Sequence, residues 1–115
     1  MATIMVNTLT KMAMTDSDGL KLRKEIEDLK KTEKNIILDF SQISLFATMF
    51  FNASIGHFIM EMSPEKCEDL FELRNISELG KETYNHSFEN AKILYQNKKQ
   101  ENFIGEITQQ NIEHL

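Results

Sequence analysis

One cysteine, one proline, four glycines and no tryptophan occur in 115 residues, and these scarcities exclude several kinds of protein. Cys67 has no partner for an intramolecular disulfide, which rules out the stapled frameworks of small secreted domains. So little Pro and Gly rules out collagen-like and linker-like chains. No apolar run approaches the roughly 20 residues that a membrane-spanning helix needs. Positive charge is in short supply too. Thirteen Lys and Arg against eighteen Asp and Glu leave a net -5, a poor match for a surface that must neutralise duplex phosphates. The opening MATIMVNTLTKMAM lacks a basic stretch followed by an unbroken apolar one, so no secretory leader is expected. Without export, the Asn-x-Ser triplets at Asn52, Asn75 and Asn85 carry no glycan meaning. These absences together lead to the expectation of a soluble cytoplasmic domain with a single core.

The charge is unevenly placed. Seven acids and three basic residues lie between Glu61 and Glu82, so that stretch carries -4 of the -5. Glu65, Glu68 and Asp69 are its densest part and form a candidate acidic surface for a basic partner. A solvated face that maintains solubility is the plainer reading of the same residues. Lys30, Lys31 and Lys34 make the opposite cluster, too small a footprint to argue for nucleic acid.

Periodicity gives an order of elements. β-branched residues in Met1 to Met14 suit one or two short strands. The oxygens of Thr15 to Asp18 suit a helix cap, and Leu22, Ile26 and Leu29 then share a helical face. Asn35 to Phe40 reads NIILDF, an apolar run expected of a central strand covered on both sides. The apolar stretch ATMFFNASIGHFIMEM is expected to be one buried helix, with Phe51, Ile55, Phe58 and Met62 on one face and Ser54, His57 and Glu61 on another. Ser63-Pro64-Glu65 starts a short helix. Phe71 to Leu73 reads as a strand, and Ser77 opens a helix whose face is Tyr84, Phe88, Ala91 and Tyr95. The order implies an α/β domain, a small mixed β-sheet packed with about four helices. Residues 1–96 are expected to form it, and 97–115 a C-terminal extension that is either a loose helix or a docking tail.

At NIILDFSQISLFATMFFNASIG the chain resembles STAS-like proteins, relatives of the sulfate-transporter and anti-sigma-factor-antagonist domain. Leu38-Asp39-Phe40 matches the strand end, Thr48 the hydroxyl position that starts the next helix, and Phe50, Phe51, Asn52, Ile55 and Gly56 the helix that follows. Met12 to Thr15, Gly19-Leu20, Leu73 to Ser77 and Glu89 to Lys92 are similar to flanking parts of the same pattern, so the resemblance runs from about Lys11 to Gln96. It implies a single STAS-like domain that is not an enzyme but an interaction module or regulatory switch. Its partner would be another protein, a histidine-kinase-like ATPase among the candidates, bound through Asp39, Ser44, Thr48, Met49, Phe50 and Asn52. In the family at large the hydroxyl is phosphorylated, which adds about -1.5 to -2 charges at a helix start. Here Ala47-Thr48-Met49-Phe50 replaces the usual Asp-Ser-Ser-Gly or Asp-Ser-Thr-Gly run. Thr48 therefore stands as either a phosphorylation site or a plain N-cap. The alternative function is a phage- or mobile-element-encoded acidic inhibitor of a host defence or regulatory protein.

Other candidate chemistry is sparse. Asp39 either presents a carboxylate at a strand end or braces the turn that follows. Met49 and Phe50 either form an exposed apolar anchor or join the core. His57 and Glu61 stand at i and i+4, a spacing that two metal ligands share, but the sequence offers no second His or Cys cluster. His86 and His114 are remote from both. Cys67 sits among acids that oppose a thiolate. No catalytic constellation, metal or cofactor is expected, and neither nucleic acid nor a membrane is an expected partner; self-association stays open.

Overall fold

Three short parallel strands make the sheet in the computed structural model, which describes the backbone of residues 1–113 and the side chains of residues 1–99. The strands are β1 (Ala2–Met5), β2 (Ile36–Asp39) and β3 (Phe71–Arg74), in the order β1-β2-β3. β2 is central, pairing Ile36 with Ala2 on one side and with Phe71 on the other. Its Ile36, Ile37 and Leu38 are all buried, as an unbroken apolar run between two neighbours requires. The sheet is parallel throughout rather than mixed. The reason is connectivity: helical crossovers join the strands, and such returns bring the chain back in the same direction.

A 3-10 turn (Val6–Thr8) follows β1, and the chain then reaches α1 (Asp16–Leu29). Thr15 caps α1, its hydroxyl accepting from the Asp18 amide at 3.1 Å. Leu22 and Ile26 point into the core and Leu29 is half-buried against it. The apolar stretch after β2 forms two helices instead of one, α2 (Thr48–Ala53) and α3 (Ile55–Glu61). Ser54 makes the break. It is fully buried, with φ -100° and ψ -91°, and its hydroxyl donates to the Phe50 carbonyl at 2.8 Å. A serine that bonds back to the carbonyl four residues earlier bends a helix. Ser54 thus leaves the face it was expected to share with His57 and Glu61.

Ser63 caps α4 (Pro64–Leu70), accepting from the Lys66 amide at 3.2 Å, with Pro64 at the first helical position. Ser77 starts α5 (Glu78–Glu113), accepting from the Gly80 amide at 3.1 Å. Phe88 and Ala91 of α5 are buried, and Tyr84 packs half-buried beside them. α5 carries the chain past the expected boundary at 96 and 97; most side chains of 97–115 lie outside the described residues. α2 lies between α1 and α5 and also meets α3. The core joins α1, α2, α3 and the sheet around Phe40, Phe50, Phe51 and Phe58, all fully buried. Among the described residues, no helix is long and apolar enough to cross a membrane.

Candidate functional site

The loop that follows the C-terminal end of β2 is fixed by its own polar groups. Asp39 is half-buried and accepts from the Ser41 hydroxyl at 2.6 Å, the Ser41 amide at 2.9 Å and the Asn75 side chain at 3.0 Å. The Ser41 hydroxyl, then its amide, then Asn75, with Arg74 nearby, hold this carboxyl below the usual carboxylate range. Asn75 lies just past β3 with φ 55°, a left-handed conformation that asparagine tolerates. Asp39 therefore braces two loops at the C-terminal end of the sheet, the one leading to α2 and the one leading to α5. Its bonds are within the chain.

Past this brace, residues 45–47 run beside residues 12–14. Ala13 and Phe46 form an isolated parallel bridge, with the Ala13 amide donating to Leu45 at 3.0 Å and the Ala47 amide to Ala13 at 2.9 Å. Ala13 is fully buried, so its neighbours turn the other way. Met12 is 49% exposed, Met14 38%, Leu45 47% and, one step into α2, Met49 52%. Ser44 is exposed at the head of this segment. The bridge thus collects apolar side chains from two distant parts of the sequence beside the start of α2.

Thr48 is the first residue of α2 and half-buried. The cap position falls on Ala47, whose side chain has no oxygen to offer, so Thr48 is not the N-cap. Phe50 is fully buried and edge-on to Phe51, which removes it from any surface anchor. α2 meets both α1 and α5, with the Phe50 carbonyl beside Gly19 of α1 and the Phe51 ring edge-on to Tyr84 of α5. Asn52 is exposed, and its side-chain oxygen accepts from the buried Ser87 hydroxyl, tying α2 to α5. Of the six residues expected at a partner surface, the structure thus exposes Ser44, Met49 and Asn52, half-buries Asp39 and Thr48, and encloses Phe50. Met12, Met14 and Leu45 were missed by the sequence reading. Met12 and Met14 stand in the sequence only as part of the STAS-like strand-to-helix entry and Leu45 only within the Ser44 to Ser54 region, because the bridge that brings them together is a non-local contact.

Glu65, Glu68 and Asp69 are exposed on α4. Asp69 lines a shallow groove with Lys31 and Lys34, which follow α1, and with Lys66 of α4. Glu61 makes an ion pair. Lys30 reaches it at 2.6 Å, a bond that holds the Glu61 carboxyl below its usual range and lifts the Lys30 ammonium. His57 and Glu61 keep their i, i+4 relation on α3, and a third side chain joins them from α1. The ligand atoms of Glu27, His57 and Glu61 all lie within 4.8 Å of one another.

The matching family is described as STAS-like domain of unknown function (DUF4325), and its model covers residues 18–81. That span is more than half of the chain. The chain belongs to this STAS-like family. No curated protein and no solved structure gives a significant match. The STAS-like span runs from the first turn of α1 to that of α5 and includes Asp39, the bridge residue Phe46 and all of α2, but not Met12 or Met14.

Cys67 lies in this span without offering chemistry. It is fully buried in α4, and burial, with Glu61 next in effect, pushes its thiol up to about 12. A thiol-exchange reagent at pH 8 is expected to modify Cys67 only in denaturant, because the thiolate is the reacting form. Rapid modification of the folded protein would contradict that placement.

Proposed function

We propose that this STAS-like domain is a non-enzymatic interaction module, a regulatory switch of the anti-sigma-factor-antagonist type. It binds another protein through the loop and helix start around Thr48. The observation that supports this most is the set of exposed apolar side chains, Met12, Met14, Leu45 and Met49, gathered by the Ala13–Phe46 bridge. Methionines are adaptable contacts, and an apolar centre ringed by polar groups such as Ser44 suits a protein partner. A histidine-kinase-like ATPase is the partner that the family type suggests. Phosphorylation of Thr48 would place about -1.5 to -2 charges beside Met49 and penalise an apolar partner surface there.

Affinity capture from cell extract tests this reading, using wild type, Leu45→Asp with Met49→Asp, and charge reversal at Glu65 and Glu68. Both pairs are exposed, so the fold should survive either change. A partner lost by the apolar pair and kept by the charge reversal is the expected result, with affinity reduced at least tenfold. The reverse pattern would favour the acidic-inhibitor reading, and identical capture by all three proteins would remove both surfaces.

A further inference from the structure

We propose that Glu27, His57 and Glu61 form a divalent-cation site of the zinc class where α1 meets α3. His57 Nε2 lies 3.0 Å from Glu61 Oε2 and 3.5 Å from Glu27 Oε1. Lys30 takes the other oxygen of each carboxylate, Glu61 Oε1 at 2.6 Å and Glu27 Oε2 at 3.5 Å. The two carboxylates are thus shared between two neighbours, and the lysine uses the pair of oxygens that the imidazole does not. Lys30 is itself held, its ammonium 5.3 Å from the centre of the Phe58 ring. A cation between Nε2, Glu27 Oε1 and Glu61 Oε2 would leave both lysine contacts in place. Lys30 would then orient the two ligating carboxylates from behind, as outer hydrogen-bond partners do in metal sites.

Charge and geometry agree with that assignment. With His57 neutral, two carboxylates and one ammonium leave a single negative charge at the cluster. Tetrahedral ligands about 2.0–2.1 Å from zinc stand about 3.4 Å apart. The three donors are already within 4.8 Å of one another, so small rotations of half-exposed side chains bring them to that distance. The imidazole is steadied edge-on to Phe58 at 5.0 Å between ring centres. One nitrogen and two carboxylate oxygens favour zinc, cobalt or nickel over calcium or magnesium, which prefer oxygen alone. Three protein ligands leave a fourth position to water. A bound ion would link α1 to α3 and stabilise the fold by mass action.

Chelator-stripped full-length protein titrated with zinc chloride, and separately with cobalt chloride, tests the proposal by calorimetry and by cobalt absorption. One equivalent is expected to bind. His57→Ala and Glu27→Gln should each weaken binding at least tenfold, and His86→Ala should leave it unchanged. In wild type, zinc should shift the His57 imidazole proton resonances and not those of His86, a reading that depends on no variant folding. No binding at millimolar zinc, unchanged binding in His57→Ala and Glu27→Gln, or loss in His86→Ala would each overturn the site.

Discussion

Phe51→Ala should lower the unfolding free energy by about 3–5 kcal/mol, the usual cost of deleting a fully buried phenylalanine. Four aromatic neighbours put it at the upper end. The ring meets Phe40 at 5.9 Å, lies parallel to Phe46 at 6.2 Å, and meets Phe50 and Tyr84 edge-on at 5.3 and 5.5 Å. Such pairs contribute about 0.5–1.5 kcal/mol each beyond area burial, though pairs sharing one ring do not add fully. These neighbours come from the end of β2, the loop after it, α2 itself and α5, so the cavity would open where three elements meet. Collapse around it is hindered because each neighbour is anchored elsewhere. Domains of this size have only about 5–15 kcal/mol in total, so the variant should melt well below wild type. Urea unfolding followed by circular dichroism measures it, with Met49→Ala as an exposed control expected within about 0.5 kcal/mol. A loss under about 1 kcal/mol for Phe51→Ala would mean that the aromatic cluster is not the centre of the core.

The residues that were legible in the sequence act locally. Leu22 and Ile26 on one face of α1, the caps Thr15, Ser63 and Ser77, and the covered run of β2 are written in spacings of a few residues, and each is found in its expected place. The STAS-like pattern was legible for the same reason, since its strand end and helix start are contiguous. Groups that meet across elements were not legible. Asp39 is 36 residues from Asn75, and the bridge between Ala13 and Phe46 joins segments separated by all of α1 and β2. Glu27 gives no hint from its own helix that it will face His57. Ser54 was misplaced because helical periodicity assumes an unbroken helix, and its hydroxyl removes that assumption. Phe50 was ambiguous because two adjacent phenylalanines fit a one-sided helix poorly, and only a helix covered by both α1 and α5 buries them together.

Gly19→Ala should cost about 2 kcal/mol, despite a helix-propensity gain of about 1 kcal/mol when alanine replaces glycine in a helix interior. A Cβ at position 19 would stand 2.5 Å from the Phe50 carbonyl oxygen and 2.8 Å from the Ala53 Cβ. Neither atom can rotate away, since one is backbone and the other is the first side-chain atom of a helix. α1 would have to lift off α2; overpacking costs about 1–3 kcal/mol, and a clash with a backbone oxygen belongs at the upper end, which leaves about 2 kcal/mol after the propensity gain. The burden falls on the contact that also buries Leu22 and Ile26 of the same α1 face. Gly80→Ala is the instructive comparison. There the new Cβ would meet Ile76 Cγ1 at 2.6 Å and the Phe46 ring edge at 2.8 and 2.9 Å, side-chain atoms of half-buried residues with no backbone atom among them. Thermal melts of the two variants should therefore separate, with Gly19→Ala the lower. Equal melting temperatures would show that α1 and α2 can part freely at position 19. The start of α2, with Thr48 and Met49 on it, would then lack the rigid seat against α1 that a partner surface needs, because Gly19 touches α2 two residues beyond Thr48.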